Sequence, residues 1–367
     1  MKLRSVKISL LVLLTISLTA FNYQCEAGSD APLSSKYTVG VYYFPGWRIS
    51  PPMFHNDPWA GIKKFPEREP AIGWYVDGEP AVTDWQNSKM AAAGINLVVY
   101  DWYWLPKIGV ELDHAIESFR ALENKRGVEY ALLWANHSGA PSSEEEFTNI
   151  VKFWISHYFA DSAYYKISGY PVVIIFAPVQ LDSMARAMGT NSKQLLDEAD
   201  ELAKKAGFPG IYFVASTQAA PGRVDKMLPQ AGYRALTAYN YQNGPTGPGG
   251  IQKESHNYSE LTIGYRESWE WILKNSPIPY WIPVTSGWDK TPWGGSDDHL
   301  HDRSVSTPQL FRQFLSEARG VIDANFHETN GSVIICCWNE YGEGSYIEPT
   351  KRFGDDYINS VRDVFKK

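Results

Sequence analysis

Cysteine is scarce in this chain: there are three in 367 residues, and two of them, Cys336 and Cys337, are adjacent. So few thiols exclude a disulfide framework. Neighbouring residues of a strand point to opposite faces, so Cys336 and Cys337 read as two buried thiols and not as a bonded pair. Basic charge is short as well. Lys and Arg total 34 against 41 Asp and Glu, a net charge of −7. That argues against nucleic acid and anionic membranes as partners, because proteins that bind them carry basic patches. No apolar run reaches the roughly 20 residues that span a bilayer. Phosphate-binding glycine loops are missing too. Tyr43-Phe44-Pro45-Gly46-Trp47 has no GxGxxG, and no GxxxxGK[ST] occurs anywhere, which argues against an open doubly wound nucleotide-binding sheet. There is no internal repeat, and the only low-complexity tract is Gly244 to Gly250.

What is present begins at the N-terminus. Lys2, Arg4 and Lys7 precede an apolar stretch from Ile8 to Phe21. This pattern reads as a secretory signal peptide over residues 1–27, with Cys25 and Ala27 as the small residues before the cut. A mature domain of 28–367 is then expected outside the cytoplasm: secreted, periplasmic or at the cell surface, with no transmembrane segment. A lipoprotein would begin at Cys25, but Gln24 stands where such signals want a small residue. Cleavage removes three basic side chains and one acidic one, making the chain more acidic still.

Eight short, largely apolar runs follow: Thr38–Tyr43, Asn96–Asp101, Glu129–Trp134, Pro171–Phe176, Ile211–Ser216, Arg234–Tyr239, Tyr280–Thr285 and Ser332–Trp338. Near-continuous apolar strands suit a parallel sheet covered on both faces. Helical patterns lie between most of them, at 81–93, 111–125, 144–158, 192–206, 258–274, 308–323 and 355–365, with a weak one near 223–228. Eight alternating units predict a single (β/α)8 barrel. Two connections are long, Phe44 to Glu79 and Gln242 to Asn257. Both fall on the C-terminal side of the strands, where barrels of this kind build their sites.

The strand ends carry polar and aromatic groups. Candidates for substrate contact are Tyr43, Trp47, Asp101, Tyr103, Trp104, Asn136, His137, Tyr239, Asn240, Trp288, Asp289 and Asn339. Aromatic residues are 14% of the chain, and rings with polar edges suit flat, part-apolar ligands such as sugars; a Trp-rich core accounts for the composition equally well. The last strand leads into Glu340 and Glu343, with Gly342 and Gly344 allowing a tight turn. Two carboxyls on one short loop are what glycoside hydrolysis uses, one as proton donor to the leaving oxygen and one at the ring. Their proximity separates their pKa values into acid and base. Asp297, Asp298, His299, His301 and Asp302 have ligand-type side chains, but their spacing matches no metal motif and reads as a solvated acidic loop. Glu348, before a proline, reads as structural. No metal and no cofactor is expected.

The run Trp338-Asn339-Glu340-Tyr341-Gly342-Glu343-Gly344-Ser345-Tyr346-Ile347-Glu348-Pro349 resembles the WNEW-x-EG-x-x-IEP segment of family 99 glycoside hydrolases and their WbsX-type relatives. Tyr42 to Trp47, Tyr100 to Trp104 and Gly287 to Pro292 resemble other signatures of that group, and the likeness runs from about Thr38 to Tyr357. It implies a (β/α)8 retaining endo-α-mannosidase-like enzyme acting on an oligo- or polysaccharide. It also implies a 1,2-anhydro sugar route, with Glu340 as base to the sugar 2-hydroxyl and Glu343 as acid. Tyr341 and Gly342 depart from the Trp and His of family 99 proper, which bears on the mannoside specificity and not on the carboxylate pair. The other readings are a glycosyltransferase of polysaccharide biosynthesis and a non-catalytic carbohydrate-binding protein.

Overall fold

The computed structural model describes residues 36–366 except 140, 248 and 249; the signal-peptide reading lies outside the described residues. Eight parallel strands form the centre: β1 (Thr38–Tyr43), β2 (Leu97–Leu105), β3 (Glu129–Trp134), β4 (Tyr170–Ile175), β5 (Tyr212–Ser216), β6 (Ala235–Thr237), β7 (Ile282–Thr285) and β8 (Ser332–Cys336). They pair in chain order from β1 to β6, and β8 lies between β7 and β1. Registers such as Val41↔Val98 and Val41↔Ile335 tie β1 to both neighbours. The ring closes between β6 and β7, where the Leu236 amide donates to Pro279 O at 2.8 Å and the Trp281 amide to Leu236 O at 2.9 Å. This is a (β/α)8 barrel.

Strand alternation sorts the core into two shells. Tyr42, Leu97, Val99, Ala131, Leu133, Val172, Ile174, Val214, Ala235, Trp281 and Ile334 fill the barrel. Their sequence neighbours, among them Val41, Tyr43, Val98, Tyr100, Leu132, Trp134, Val173 and Phe213, pack outward under the helices. The covering helices are α1 (Pro80–Ala93), α2 (His114–Ala121), α3 (Glu144–His157), α4 (Pro178–Ala187), α5 (Ser192–Lys205), α6 (Leu228–Ala231), α7 (Tyr258–Asn275), α8 (Pro308–Ala324) and α9 (Asp356–Phe365). Helix α3 shows why these segments are helical. Ser143 caps the Glu146 amide, three glutamates meet the positive end of the helix, and Phe147, Ile150, Val151 and Trp154 recur at three- and four-residue spacing on the buried face. Among the described residues no helix is long and apolar enough to cross a membrane.

Three expectations change. Helix α4 begins shortly after β4 with Pro178 in its first turn, a segment for which the sequence shows none of the helical patterns given above. The region around Arg223 is a π turn running into the four-residue α6. Cys336 and Cys337 are joined in a disulfide, with an S–S distance of 2.03 Å. Alternation sends neighbouring side chains to opposite faces only within a strand. Here β8 ends at Cys336, so Cys337 lies beyond the strand and alternation does not separate the two side chains; the peptide between them is cis.

Candidate active site

Beyond Trp338 the chain folds into a small hairpin in which Asn339 pairs with Tyr346 and Glu340 with Ser345. The turn between them is tight enough to need glycine twice. Gly344 has a φ of 71°, and a Cβ there would stand 2.8 Å from the Asp289 amide nitrogen. A Cβ on Gly342 would stand 2.0 Å from the indole of Trp293. Trp293 is 41% exposed and occupies the space that a side chain at 342 would need. Gly342→Ala is therefore expected to push the ring into solvent and cost about 1–3 kcal/mol, the usual range for overpacking. Tryptophan emission and urea denaturation read both effects; unchanged emission and stability would show that the indole does not fill that space.

The turn delivers Glu340 into a cluster of carboxyls. Glu340 is 5% exposed and Asp101, from the inward face of β2, is 4% exposed. The Tyr239 hydroxyl lies 2.9 Å from Glu340 Oε1 and 3.0 Å from Asp101 Oδ2. The other oxygens, Glu340 Oε2 and Asp101 Oδ1, are buried and have no hydrogen-bond partner among the described residues. Buried polar atoms are rarely left this way, and at the open end of a barrel they suit hydroxyl groups of a ligand. Burial first, then the charges of Glu343 and Asp101, push Glu340 well above the usual carboxylate range, against the opposing effect of the Tyr239 hydrogen bond. Burial likewise raises Asp101. Glu343 keeps part of its surface accessible, yet burial pushes it up to about 7, opposed by the positive charge of Lys290. Tyr103 also faces this cluster, its hydroxyl raised by burial and by Asp101, Glu340 and Glu343.

The other expected contacts divide. Tyr43 points outward and is held by Asp77 and Gln86 at 2.5 and 3.0 Å. Trp104 packs with the outer shell and reaches Glu146 at 3.3 Å. Trp47 is buried, stacked on Trp59 at 3.9 Å, with its indole nitrogen donating to Asn339 O. Asn136 holds both the N–H and the C=O of Ala177, at 2.8 and 2.9 Å, and Asn339 holds those of Phe44 at 2.9 and 3.0 Å. Asn240 bridges Tyr265 and Ser345. Trp288 is buried against His301. His137 stands exposed with its ring 4.4 Å from Phe176. Thus Asp101, Tyr103, Tyr239, Glu340 and Glu343 come together, while Tyr43 and Trp104 stand apart from them.

Arg68 went unrecognised in the sequence. It is 4% exposed, pairs with the Asp289 carboxylate and donates to Tyr341 O at 2.6 Å, joining two loops to the glutamate turn. Set between Glu67 and Glu69 it reads as a solvated charge run, and no local signal marks it. Glu348 is fully engaged by Tyr75, Gln86 and Tyr341 beneath the turn. In the acidic loop, Asp302 accepts from the Lys290 and Ser296 amides, His301 contacts Ser255 and Asp298 pairs with His256. Among the described residues no group of three or more ligand-type side chains is placed to hold a metal ion. A groove of about 280 Å³ opens beside Tyr239 over the ends of β4 to β6, lined by Phe176, Thr217, Gln218 and Arg223. A larger depression, about 500 Å³, lies along the outer side of α7, lined by residues such as Trp271 and Lys274 and by none of the clustered carboxyls.

A family described as Glycosyltransferase WbsX matches residues 63–361 of the chain. Among solved structures, one titled as a glycoside hydrolase-like protein is 14% identical, with a TM-score of 0.64 over 90% of this chain and 94% of its own. The GH99 endo-alpha-mannosidase from Bacteroides thetaiotaomicron is also 14% identical, with a TM-score of 0.62 over 90% of this chain and 96% of its own. At such identities the likeness is one of fold. No curated protein matches the chain.

Proposed function

Because the chain belongs to the WbsX family and has the fold of the family 99 glycosidases, we propose that it is an exported, retaining glycoside hydrolase that cleaves an α-linked, mannan-like glycan. The observation that carries this reading is the Glu340–Glu343 turn, whose first carboxyl enters a buried cluster with oxygens that have no partner among the described residues. Glu343, raised to about 7, keeps a proton near neutrality and acts as the acid: it protonates the leaving oxygen and later activates water. Glu340 takes the proton of the sugar 2-hydroxyl through its free Oε2. The deprotonated 2-oxygen of the sugar then closes on its own anomeric carbon as the bond to the leaving group breaks, giving a 1,2-anhydro sugar that water opens. Export rests on the N-terminal charge and apolar pattern alone.

The family description favours a second reading, transfer of a sugar in polysaccharide assembly. Both are tested by incubating the secreted protein with a panel of neutral and acidic glycans and, separately, with nucleotide-sugar donors plus glycan acceptors, reading products by mass spectrometry. Shortened glycans without donor are the expected result; products formed only with donor would overturn the hydrolase. On a cleaved substrate, the 2-deoxy analogue is expected to be inert, since it lacks the attacking oxygen. Its ready turnover would eliminate the 1,2-anhydro route.

A further inference from the structure

The Asp101–Tyr239–Glu340 chain is one proton short of what its geometry demands. A phenol has one proton to donate, yet its oxygen lies at hydrogen-bond distance from a carboxyl on each side. With both carboxyls ionised, one of these short contacts would set a lone pair against a carboxylate in a buried place, where such repulsion is poorly screened. Among the described residues neither carboxyl has an ion-pair partner to offset it, and the nearby ion pairs join other residues. A single added proton resolves the conflict: one carboxyl donates to the Tyr239 oxygen while Tyr239 donates to the other.

We propose that Asp101 and Glu340 share one proton through the Tyr239 hydroxyl, and that Asp101 takes it up when Glu340 serves as base. The second half of this statement rests on the glycosidase reading above; the first does not. The relay balances without outside help. The Glu340 proton passes to the Tyr239 oxygen, the Tyr239 proton passes to Asp101, and the trio keeps one negative charge throughout. Glu340 is then ionised, with Oε2 free for a substrate hydroxyl. The titratable groups facing the pair are Tyr42 from β1, Tyr103 from β2, and Glu343 from the turn, with Lys290 beside Glu343. Burial raises both carboxyls, in keeping with a retained proton. Asp101 is thus a positioning residue acting through Tyr239, and the relay answers how a carboxyl held so firmly in its neutral form can become a base.

Difference infrared spectroscopy of the protonated-carboxyl band tests the sharing on the full chain. Asp101→Asn, Glu340→Gln and the double variant are compared with wild type, each amide being able to donate to the Tyr239 oxygen as a protonated carboxyl does. Sharing predicts that either single variant loses one proton's worth of band and that the double variant loses no more. A loss of one in each single and two in the double means two independent protons and overturns the proposal; so does no loss in either single. If the double variant fails to fold, kinetics on an aryl α-mannobioside decide between the same alternatives. Asp101→Asn should move the acid limb of the kcat/KM profile to lower pH, because Glu340 no longer holds a shared proton. An acid limb left where wild type has it would overturn the relay. If no glycan is turned over at all, the infrared result still stands or falls by itself.

Discussion

Glu340→Gln and Glu343→Gln are each expected to lower kcat/KM on a natural glycan by about 10²–10⁴-fold, the usual worth of a positioned acid or base. The amides keep the shape of the side chains and remove only their proton chemistry. The two variants should part company on a substrate with a good aryl leaving group. Glu343→Gln should recover most of its first step there, because that group departs with little protonation. Glu340→Gln should stay slow, because the 2-hydroxyl still needs a base. The pH profile adds a sign. An acid must be protonated to act, and Glu343 sits at about 7, so wild-type kcat/KM should fall as pH rises through that value. The falling limb should vanish in Glu343→Gln on the aryl substrate. Equal rescue of both variants, or a limb that survives the loss of Glu343, would contradict the assignment.

Arg68→Met is expected to destabilise the protein by about 3–5 kcal/mol, the range for removing one partner of a buried ion pair. The side chains of Arg68 and Asp289 are 5% and 20% exposed, so little water reaches the charge left behind, and Tyr341 O loses its donor as well. Arg68→Lys should recover only part of this, since a point charge cannot span the Asp289 carboxylate and two carbonyls as the planar fork does. A control sets the scale: Lys193 and Asp197 form a pair more than half exposed, and Lys193→Met should change stability by less than about 1 kcal/mol. Urea denaturation with an unchanged m-value measures both. A loss below about 1 kcal/mol for Arg68→Met would mean that the loops around the glutamate turn hold together without it.

The barrel was legible because its eight strands are apolar runs of the right length, and β1 and β3 agree with the expected boundaries to the residue. The glutamate turn was legible because its motif is dense. What failed was orientation. Aromatic residues at strand ends were read as rim residues, but alternation decides which of them face inward: Tyr42 and not Tyr43, Asp101 and Tyr103 and not Trp102 or Trp104. That parity was present in the sequence. The Cys336–Cys337 bond was not, because the apolar run continues to Trp338 and hides that the strand stops at Cys336. Nor was Arg68, whose partners lie more than two hundred residues away.

The two asparagine clamps have a consequence for how the rim is made ready. A primary amide offers the same donor and acceptor as a peptide group, and Asn136 and Asn339 each present that pair to a single loop residue. Each side chain is in effect one more rung of the sheet, placed where the strand itself has run out. The wall of the barrel extends by these rungs to Ala177 beyond β4 and Phe44 beyond β1. Backbone that would otherwise need ordering when a ligand arrives is fixed during folding, so binding does not bear that entropy. Aspartate at either place would turn the donor into an acceptor, and the rung would repel the very carbonyl it now holds.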